Sequence, residues 1–341
     1  MKKEIAKKNI PDLIAALSKR HSLYAPIKKG NDFVFERIKD PKHVILDYPT
    51  TILPPTKFFF PSRECLFNYQ NGKIKIPRLR ERTLLFGVHL VDIHAIIQLD
   101  EIMSRPHQDY YYLKRRENMT IVGISGNEKH DDFHRALGVD VRIGYDVFLE
   151  DAGDRFLARS ITKKGDRILR KNWFKKTKIK ERLSAKKFTS SYQHLFELKS
   201  AVERTKDLKV WDKYASLCYG CGNCSFVCPL CFCSDVEDKP SVEKGKGRRE
   251  RHYDACFFKS FTTVHARGAE GFTFESNHRD RFYHWYHHKF VQLINEMGKP
   301  GCVNCGRCIK YCPAGINFRE VLEEAKRGLS KNIKSQISNH K

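Results

Sequence analysis

The sequence predicts an α+β protein in which a mixed α/β region comes first and a helical, cysteine-rich region comes second. Between about residues 31 and 170, short apolar runs typical of strands alternate with runs of helical periodicity. From about residue 190 onward the pattern is largely helical, and eleven of the twelve cysteines lie between residues 218 and 312. A chain of 341 residues is long enough for two domains, each with its own core.

The N-terminal α/β domain is predicted over residues 1–170. Its strand-like runs are FVFERI, HVILDY, TKFFFP and TLLFGV, and the apolar-periodic run HLVDIHAIIQLDEIM after the last of them predicts a helix. A further strand, MTIVGISG, follows the tyrosine-rich segment DYYYLKRREN. The run YDVFLEDAGDRFLARS predicts a hairpin that turns between Asp151 and Asp154.

The rest of the chain divides into three parts. Residues 163–187 are strongly basic with little apolar periodicity, and the helical run SYQHLFELKSAVERTKDLKVWDKYASL follows. We therefore predict a basic connector and lead-in helix over residues 171–210. A cysteine-rich domain is predicted over residues 211–325, and a flexible tail over residues 326–341.

Two cysteine arrays with the same spacing dominate this second domain. Each has the form C-x-x-C-x-x-C-x-x-x-C-P, which is typical of loops that hold [4Fe–4S] clusters. In this motif three cysteines bind one cluster, and the fourth, followed by proline, binds the other. The predicted ligand sets are Cys218, Cys221, Cys224 and Cys312 for the first cluster, and Cys302, Cys305, Cys308 and Cys228 for the second.

A pair of zinc sites is the main alternative, since C-x-x-C pairs also build tetrahedral zinc centres. Zinc, however, gives no reason for the third cysteine of each array or for the proline after the fourth. The arrays lie 74 positions apart, from Cys228 to Cys302, and the segment HRDRFYHWYHHKFVQLINEM between them has helical character. The sequence thus predicts an α-helical ferredoxin-like domain with two [4Fe–4S] clusters, and two such clusters imply electron conduction.

Several longer motifs resemble the iron–sulfur β subunit of cytoplasmic NiFe hydrogenases of the sulfhydrogenase type, and the related A subunit of anaerobic sulfite reductase. The motifs are PPTKFFFPSRECLF, FGVHLVDIHAI, DYYYLKRREN, IVGISG, CPLCFC, RRERHYDACFF and CVNCGRCIKYCPAGINF. The resemblance covers roughly residues 20–325. It implies a subunit that carries electrons between a flavoprotein subunit that handles NAD(P)H and a catalytic subunit such as a hydrogenase or a sulfite reductase.

The N-terminal domain departs from that family pattern at four positions. The resemblance implies cysteines where this chain has Val91, Gly126, Asp132 and His134. Because valine and glycine side chains cannot bind iron, we expect the cluster that the family carries there to be absent. The N-terminal domain is then expected to be a docking domain for partner proteins.

Three cysteines remain after two clusters are assigned: Cys231, Cys233 and Cys256. They either hold an additional metal centre with a fourth ligand from elsewhere, or pack near the clusters as small buried apolar groups. His284, His287 and His288 share one face of a helix, a spacing that is seen in metal and haem sites but is more typical of a polar helix face.

The net charge of +24 favours acidic partners. A soluble ferredoxin is one such partner, and an iron–sulfur regulatory protein that binds nucleic acid is the alternative function, although no nucleic-acid-binding motif is present. No glycine-rich nucleotide motif and no pairing of nucleophile and base appears, so no catalytic residue is predicted. The N-terminal apolar run is too short for a signal peptide, and no run is long enough to span a membrane, so we expect a cytoplasmic protein.

Overall fold

The computed structural model describes residues 1–126, 143–178, 192–264 and 271–338. Its strands are β1 (Lys2–Ala6), β2 (Ser22–Lys29), β3 (Asp32–Arg37), β4 (Arg63–Gln70), β5 (Lys73–Lys75), β6 (Thr83–His89), β7 (Met119–Ile124), β8 (Val147–Asp151), β9 (Arg155–Ser160), β10 (Ser234–Pro240), β11 (Lys246–Tyr253), β12 (Thr263–Val264) and β13 (Phe272–Thr273).

The α-helices are α1 (Ile10–Ser18), α2 (Leu90–Ile102), α3 (Tyr110–Asn118), α4 (Lys163–Leu169), α5 (Tyr192–Glu203), α6 (Lys209–Leu217), α7 (Asn223–Phe226), α8 (His278–His287), α9 (Leu293–Met297), α10 (Arg307–Lys310) and α11 (Phe318–Ser338). A π-helical turn, His288–Gln292, joins α8 to α9. The predicted α+β class is confirmed.

The main sheet has the strand order β1-β9-β8-β7-β6-β2-β3. Its central strands β8, β7, β6 and β2 are parallel, and antiparallel neighbours close both edges. Helices α1 and α4 pack on one face, whereas α2 and α3 pack on the other. The mixed α/β architecture predicted for the N-terminal region is therefore present, and its hairpin is formed by β8 and β9.

Strand β6 contributes apolar side chains to both faces of the main sheet. Leu84 and Phe86 point to the α1 side, and Leu85 points to the α2 side, as alternation along a strand requires. At Gly87 the register with β7 shifts, and φ is +81° there. A Cβ at this position would lie 2.8 Å from a methyl carbon of Leu46, so only glycine fits the bulge.

Two of the strand-like runs do not form strands. The run HVILDY has no strand, although its Val44 and Leu46 side chains cover the core on the α1 side. The first half of the run TKFFFP lies in a 3₁₀ turn, Pro55–Phe58. Pro54 and Pro55 lack the amide hydrogens that a sheet ladder needs, which explains why a β-like composition gives a turn here.

Part of the basic connector belongs structurally to the N-terminal domain. Trp173 and Phe174 pack against the main-sheet core, and Lys175 pairs with Glu4 of β1 through backbone hydrogen bonds. The lead-in helices are present as α5 and α6. Residues 179–191 of the connector lie outside the described residues.

A second sheet, of order β10-β11-β4-β5, joins the two halves of the chain. Strands β10 and β11 lie between the cysteine arrays, whereas β4 and β5 come from the N-terminal half. Arg251 of β11 forms ion pairs with Glu64 of β4 and with Asp109, the N-cap residue of α3. The sequence prediction misses β10 and β11 because their residues are polar on both faces, which removes the alternation typical of strands.

The helical region has an aromatic core of its own. Trp211 of α6 packs against the rings of Phe282, Tyr283 and Tyr286 of α8. Helix α11 adds Phe318 and further apolar residues to this core. Among the residues that the structure describes, no helix is both long enough and apolar enough to cross a membrane.

Candidate metal centre

The two cysteine arrays fold into loops of the same backbone shape. In the first loop Gly220 and Gly222 have φ values of +64° and +72°, and α7 follows at once. In the second loop Asn304 and Gly306 occupy the equivalent positions with φ values of +58° and +73°, and α10 follows. Glycine and asparagine are the residues that enter this left-handed region most readily, so local sequence alone supports both turns.

Each loop directs backbone amides at cysteine sulfurs. N–H···S hydrogen bonds stabilise negative charge on sulfur and are among the features that set the potential of an iron–sulfur cluster. The bonds run from Gly220 N to Cys218 Sγ (3.4 Å), from Leu230 N to Cys228 Sγ (3.4 Å), from Asn304 N to Cys302 Sγ (3.3 Å) and from Ile316 N to Cys312 Sγ (3.4 Å).

Cys312 lies with the first array, although it belongs to the second in sequence. Cys218 is a close electrostatic neighbour of Cys312 and Cys221. Cys224 has Cys218 and Cys221 as close neighbours, and Cys228 of the second group also lies near it. Burial, followed by the charge of these neighbours, raises the pKa of both Cys218 and Cys224. The structure therefore brings together the four cysteines of the first predicted set.

Cys228 in turn lies with the second array. Cys302 has Cys305 and Cys228 as close electrostatic neighbours. Cys308 has Cys302, Cys305 and Cys228 as close electrostatic neighbours. Burial raises the pKa of Cys302 to about 12 and that of Cys308 well above its usual range. A metal that binds these thiols must displace their protons, and its positive charge then stabilises the buried thiolates.

The spacing of the sulfurs favours a cluster over a single zinc ion. In a tetrahedral zinc centre with Zn–S bonds of about 2.3 Å, the sulfurs lie about 3.8 Å apart. In the described part of the chain, the side chains that place three ligand atoms within 4.8 Å of one another are Asp235, His252 and Asp254, and no cysteine is among them. The eight array cysteines are therefore more widely spaced than zinc requires.

The two groups of cysteines differ in their surroundings. In the first group Cys221 is exposed, and the neighbouring Tyr219 side chain is 72% exposed. In the second group Cys305 packs, together with Cys228, against the core on the α2 side of the main sheet. One group thus reaches the protein surface, whereas the other adjoins the N-terminal domain.

Arg307, two residues after Cys305, anchors the second loop. Its guanidinium is fully buried and donates to both carboxylate oxygens of Asp92 in α2, at 2.6 and 2.8 Å. It also donates to the carbonyl oxygen of Thr51 at 2.8 Å and to the Thr51 hydroxyl at 3.1 Å. The equivalent residue of the first loop, Asn223, is exposed. This bidentate ion pair fixes the second loop against the N-terminal domain.

Lys289 places a buried positive charge among the sulfurs. Lys289 belongs to the π-helical turn. Its ammonium donates to Cys228 Sγ at 3.3 Å and to the carbonyl oxygen of Gly301 at 3.0 Å. Burial opposes the charge, but the adjoining sulfurs, foremost that of Cys228, outweigh it and hold the pKa of Lys289 well above its usual range. Lys289 therefore remains a cation beside the second group of cysteines.

The three remaining cysteines lie beside the second group. Cys231 shares a hydrogen bond with Cys228, and Cys233 shares one with Cys256. The bond from Cys256 lowers the pKa of Cys233 to about 7. Burial lowers the pKa of the nearby Lys57 to about 8. The structure thus brings these thiols together with Cys228, and both explanations of them stay open.

Two of the helical histidines, His284 and His288, stack at 6.1 Å between ring centroids, but among the described residues the three do not belong to a group of ligand atoms within 4.8 Å of one another. His284 lies 3.5 Å from a carboxylate oxygen of Glu275, and the His288 ring packs at 5.9 Å from that of Phe232. Burial lowers the pKa of His288 to about 4, so that imidazole is neutral at neutral pH. This arrangement agrees with a polar helix face.

Two of the four positions that depart from the family pattern are described. Val91 packs against the core on the α2 side. A Cβ at Gly126 would lie 3.2 Å from the ring of His89, which stacks on Tyr48 at 3.9 Å between ring centroids. Asp132 and His134 lie outside the described residues, so the absence of a cluster there stays a prediction.

Sequence reasoning misses Arg307 and Lys289. Arg307 lies inside an array whose spacing identifies only the cysteines. Lys289 follows the buried Trp285 and Tyr286 by four and three positions, so helical spacing alone places it on an apolar face. A charged residue on such a face is the signal that identifies it.

Comparison with known proteins identifies two similarities. The family model of a 4Fe-4S dicluster domain matches residues 217–316, which contain both arrays. The whole chain is similar to the sulfhydrogenase 2 subunit beta of Pyrococcus furiosus, with 34% identity over 329 residues that cover 94% of this chain and 96% of the relative. No solved structure matches the chain.

Proposed function

The chain belongs to the family of sulfhydrogenase β subunits, and we propose that it relays electrons through two [4Fe–4S] clusters within a multi-subunit oxidoreductase. The family and the dicluster domain establish an iron–sulfur electron-transfer subunit.

The exchange of the fourth cysteine between arrays carries the proposal. Cys312 lies with the first array and Cys228 with the second, as expected for paired clusters in a ferredoxin-like domain. Each bound cluster would supply one-electron redox chemistry. With four thiolates on each cluster, no iron keeps an open position for substrate, which supports conduction rather than catalysis.

The surroundings of the two groups of cysteines indicate where electrons would enter and leave the protein. Cys221 and Tyr219 offer a contact point at the surface, and the second group adjoins the N-terminal domain. We propose that one partner docks near Cys221 and the other on the N-terminal domain. The partners are a flavoprotein subunit and a catalytic subunit such as a NiFe hydrogenase, with a soluble ferredoxin as a further carrier, in the cytoplasm.

Metal analysis of anaerobically purified protein tests the two-cluster proposal. We expect about eight iron and eight sulfide ions per chain, and after dithionite reduction the EPR spectrum of two interacting [4Fe–4S]⁺ centres. Zinc without sulfide would contradict electron transfer. About twelve iron ions would mean that Cys231, Cys233 and Cys256 hold a further cluster. Strongly salt-dependent binding of DNA or RNA, without oxidoreductase partners, would favour the regulatory alternative.

The Lys289 cation is expected to raise the reduction potential of the cluster bound by Cys228. Reduction adds negative charge to the cluster, and a nearby buried cation stabilises that charge. Replacing Lys289 by glutamine should lower this potential by about 65–130 mV, which is the one-electron equivalent of losing a charge-assisted hydrogen bond. An EPR-monitored redox titration measures the shift.

A matched control for this prediction is Lys299→Gln. Lys299 precedes Cys302 of the second cysteine loop by three positions, but it is 41% exposed and pairs with Glu101 at 3.1 Å. Solvent screens its charge, so its loss should leave the potential nearly unchanged. Equal potentials for Lys289→Gln and the unmodified protein would show that the buried ammonium does not tune the cluster.

A further inference from the structure

The hairpin of β10 and β11 holds three metal-ligating side chains at its base, none of which belongs to a cysteine array. Asp235 and His252 lie directly opposite each other across the two strands. Asp254 follows His252 by two positions, and its backbone N–H donates to the carbonyl of Cys233, which continues the ladder. Because side chains two positions apart share a face, hairpin register alone brings the three together.

The ligand atoms of these residues lie within 4.8 Å of one another. One carboxylate oxygen of Asp235 accepts from the N–H of Val236, and one of Asp254 accepts from the N–H of Ala255, both at 2.7 Å. The second oxygen of each carboxylate remains available as a ligand. One imidazole and two carboxylates form a set that suits divalent first-row metals.

The charges around the triad leave these carboxylates without basic partners. Arg63 and Arg248 both pair with Glu250, at 3.5 and 2.9 Å, and Lys239 pairs with Glu237 at 2.8 Å. Within the described ranges, neither carboxylate of the triad forms an ion pair with a lysine or arginine.

His252 provides an independent observation. Its Nδ1 is shielded from solvent and has no hydrogen-bond partner among the described residues. A buried polar atom without a partner costs free energy, and a metal ion bound at this nitrogen would remove that cost. The carboxylates and the imidazole therefore lead to the same conclusion.

We propose that Asp235, His252 and Asp254 bind one divalent first-row metal ion, separate from the iron–sulfur clusters. Three protein ligands leave coordination positions for water, because Asp235 is exposed. The ion would link the strand that leaves Cys233 to the strand that returns toward Cys256. Its role would be to fix the hairpin where the chain leaves and re-enters the cysteine-rich region.

Mn²⁺ is the appropriate probe for this site. Manganese favours carboxylate ligands over thiolates, so Cys231, Cys233 and Cys256 compete little for it. The holoprotein is kept oxidised, and free Mn²⁺ is measured by its EPR signal during titration. We expect one bound Mn²⁺ per chain, and a dissociation constant at least about tenfold higher in Asp235→Asn and in His252→Gln.

Asp238→Asn is the matched control. Asp238 lies on the same strand but pairs with Arg249, so its loss should leave Mn²⁺ binding unchanged. Iron and sulfide contents are measured in every variant, and equal values show that the clusters and the fold are intact. The proposal is overturned if the holoprotein binds no Mn²⁺, or if Asp235→Asn and His252→Gln bind it as tightly as Asp238→Asn does.

Discussion

Loss of Cys312 is expected to remove the cluster of the first array, not that of its own array. In the structure Cys312 neighbours Cys218, whereas Cys228 neighbours Cys302, Cys305 and Cys308. Cys218→Ala and Cys312→Ala should therefore each remove about four of about eight iron ions, and the double variant should lose no more than either alone. Iron and sulfide analysis of anaerobically purified variants measures the result.

A second double variant makes the test sharper. Cys302 and Cys312 serve different clusters under the proposed exchange, so Cys302→Ala with Cys312→Ala should remove nearly all iron. If each array instead kept its own fourth cysteine, Cys302 and Cys312 would serve the same cluster, whereas Cys218 and Cys312 would serve different clusters. Loss of all iron from the Cys218 and Cys312 double variant, with retention of half in the Cys302 and Cys312 double variant, would contradict the exchanged arrangement.

The backbone shape of the two cysteine loops is predictable from sequence because its determinants are local. Two-residue gaps, a residue able to adopt positive φ before the second cysteine, and a glycine after it define each loop without reference to the rest of the fold. The motif also predicts the exchange of Cys228 and Cys312 between the two arrays. Tertiary structure adds which group reaches the surface and which adjoins the N-terminal domain.

Other features depend on contacts that no local pattern encodes. Strands β10 and β11 are polar on both faces and are held by β4, nearly two hundred positions earlier in the chain. Asp235, His252 and Asp254 meet only because this hairpin sets their register. The run HVILDY has the composition of a strand, yet it covers the core without joining a ladder.

Breaking the Arg307–Asp92 ion pair is expected to give the largest loss of stability. Both side chains are buried, with exposed fractions of 0% and 1%, so removing either partner leaves an uncompensated charge away from water. Asp92→Asn or Arg307→Met should lower the free energy of unfolding by about 3–5 kcal/mol. Anaerobic urea unfolding followed by tryptophan fluorescence measures the change. The double variant Asp92→Asn with Arg307→Met should lose much less stability than the sum of the two single losses.

An exposed ion pair between the same two regions provides the control. Lys310 pairs with Asp32 at 2.7 Å, and their side chains are 42% and 33% exposed. Lys310→Gln should cost less than about 1 kcal/mol because solvent already screens this pair. If Arg307→Met unfolded at the same urea concentration as Lys310→Gln, the second loop would not depend on its buried arginine. A large loss confined to the buried pair would instead show that the N-terminal domain holds the second cysteine loop in place.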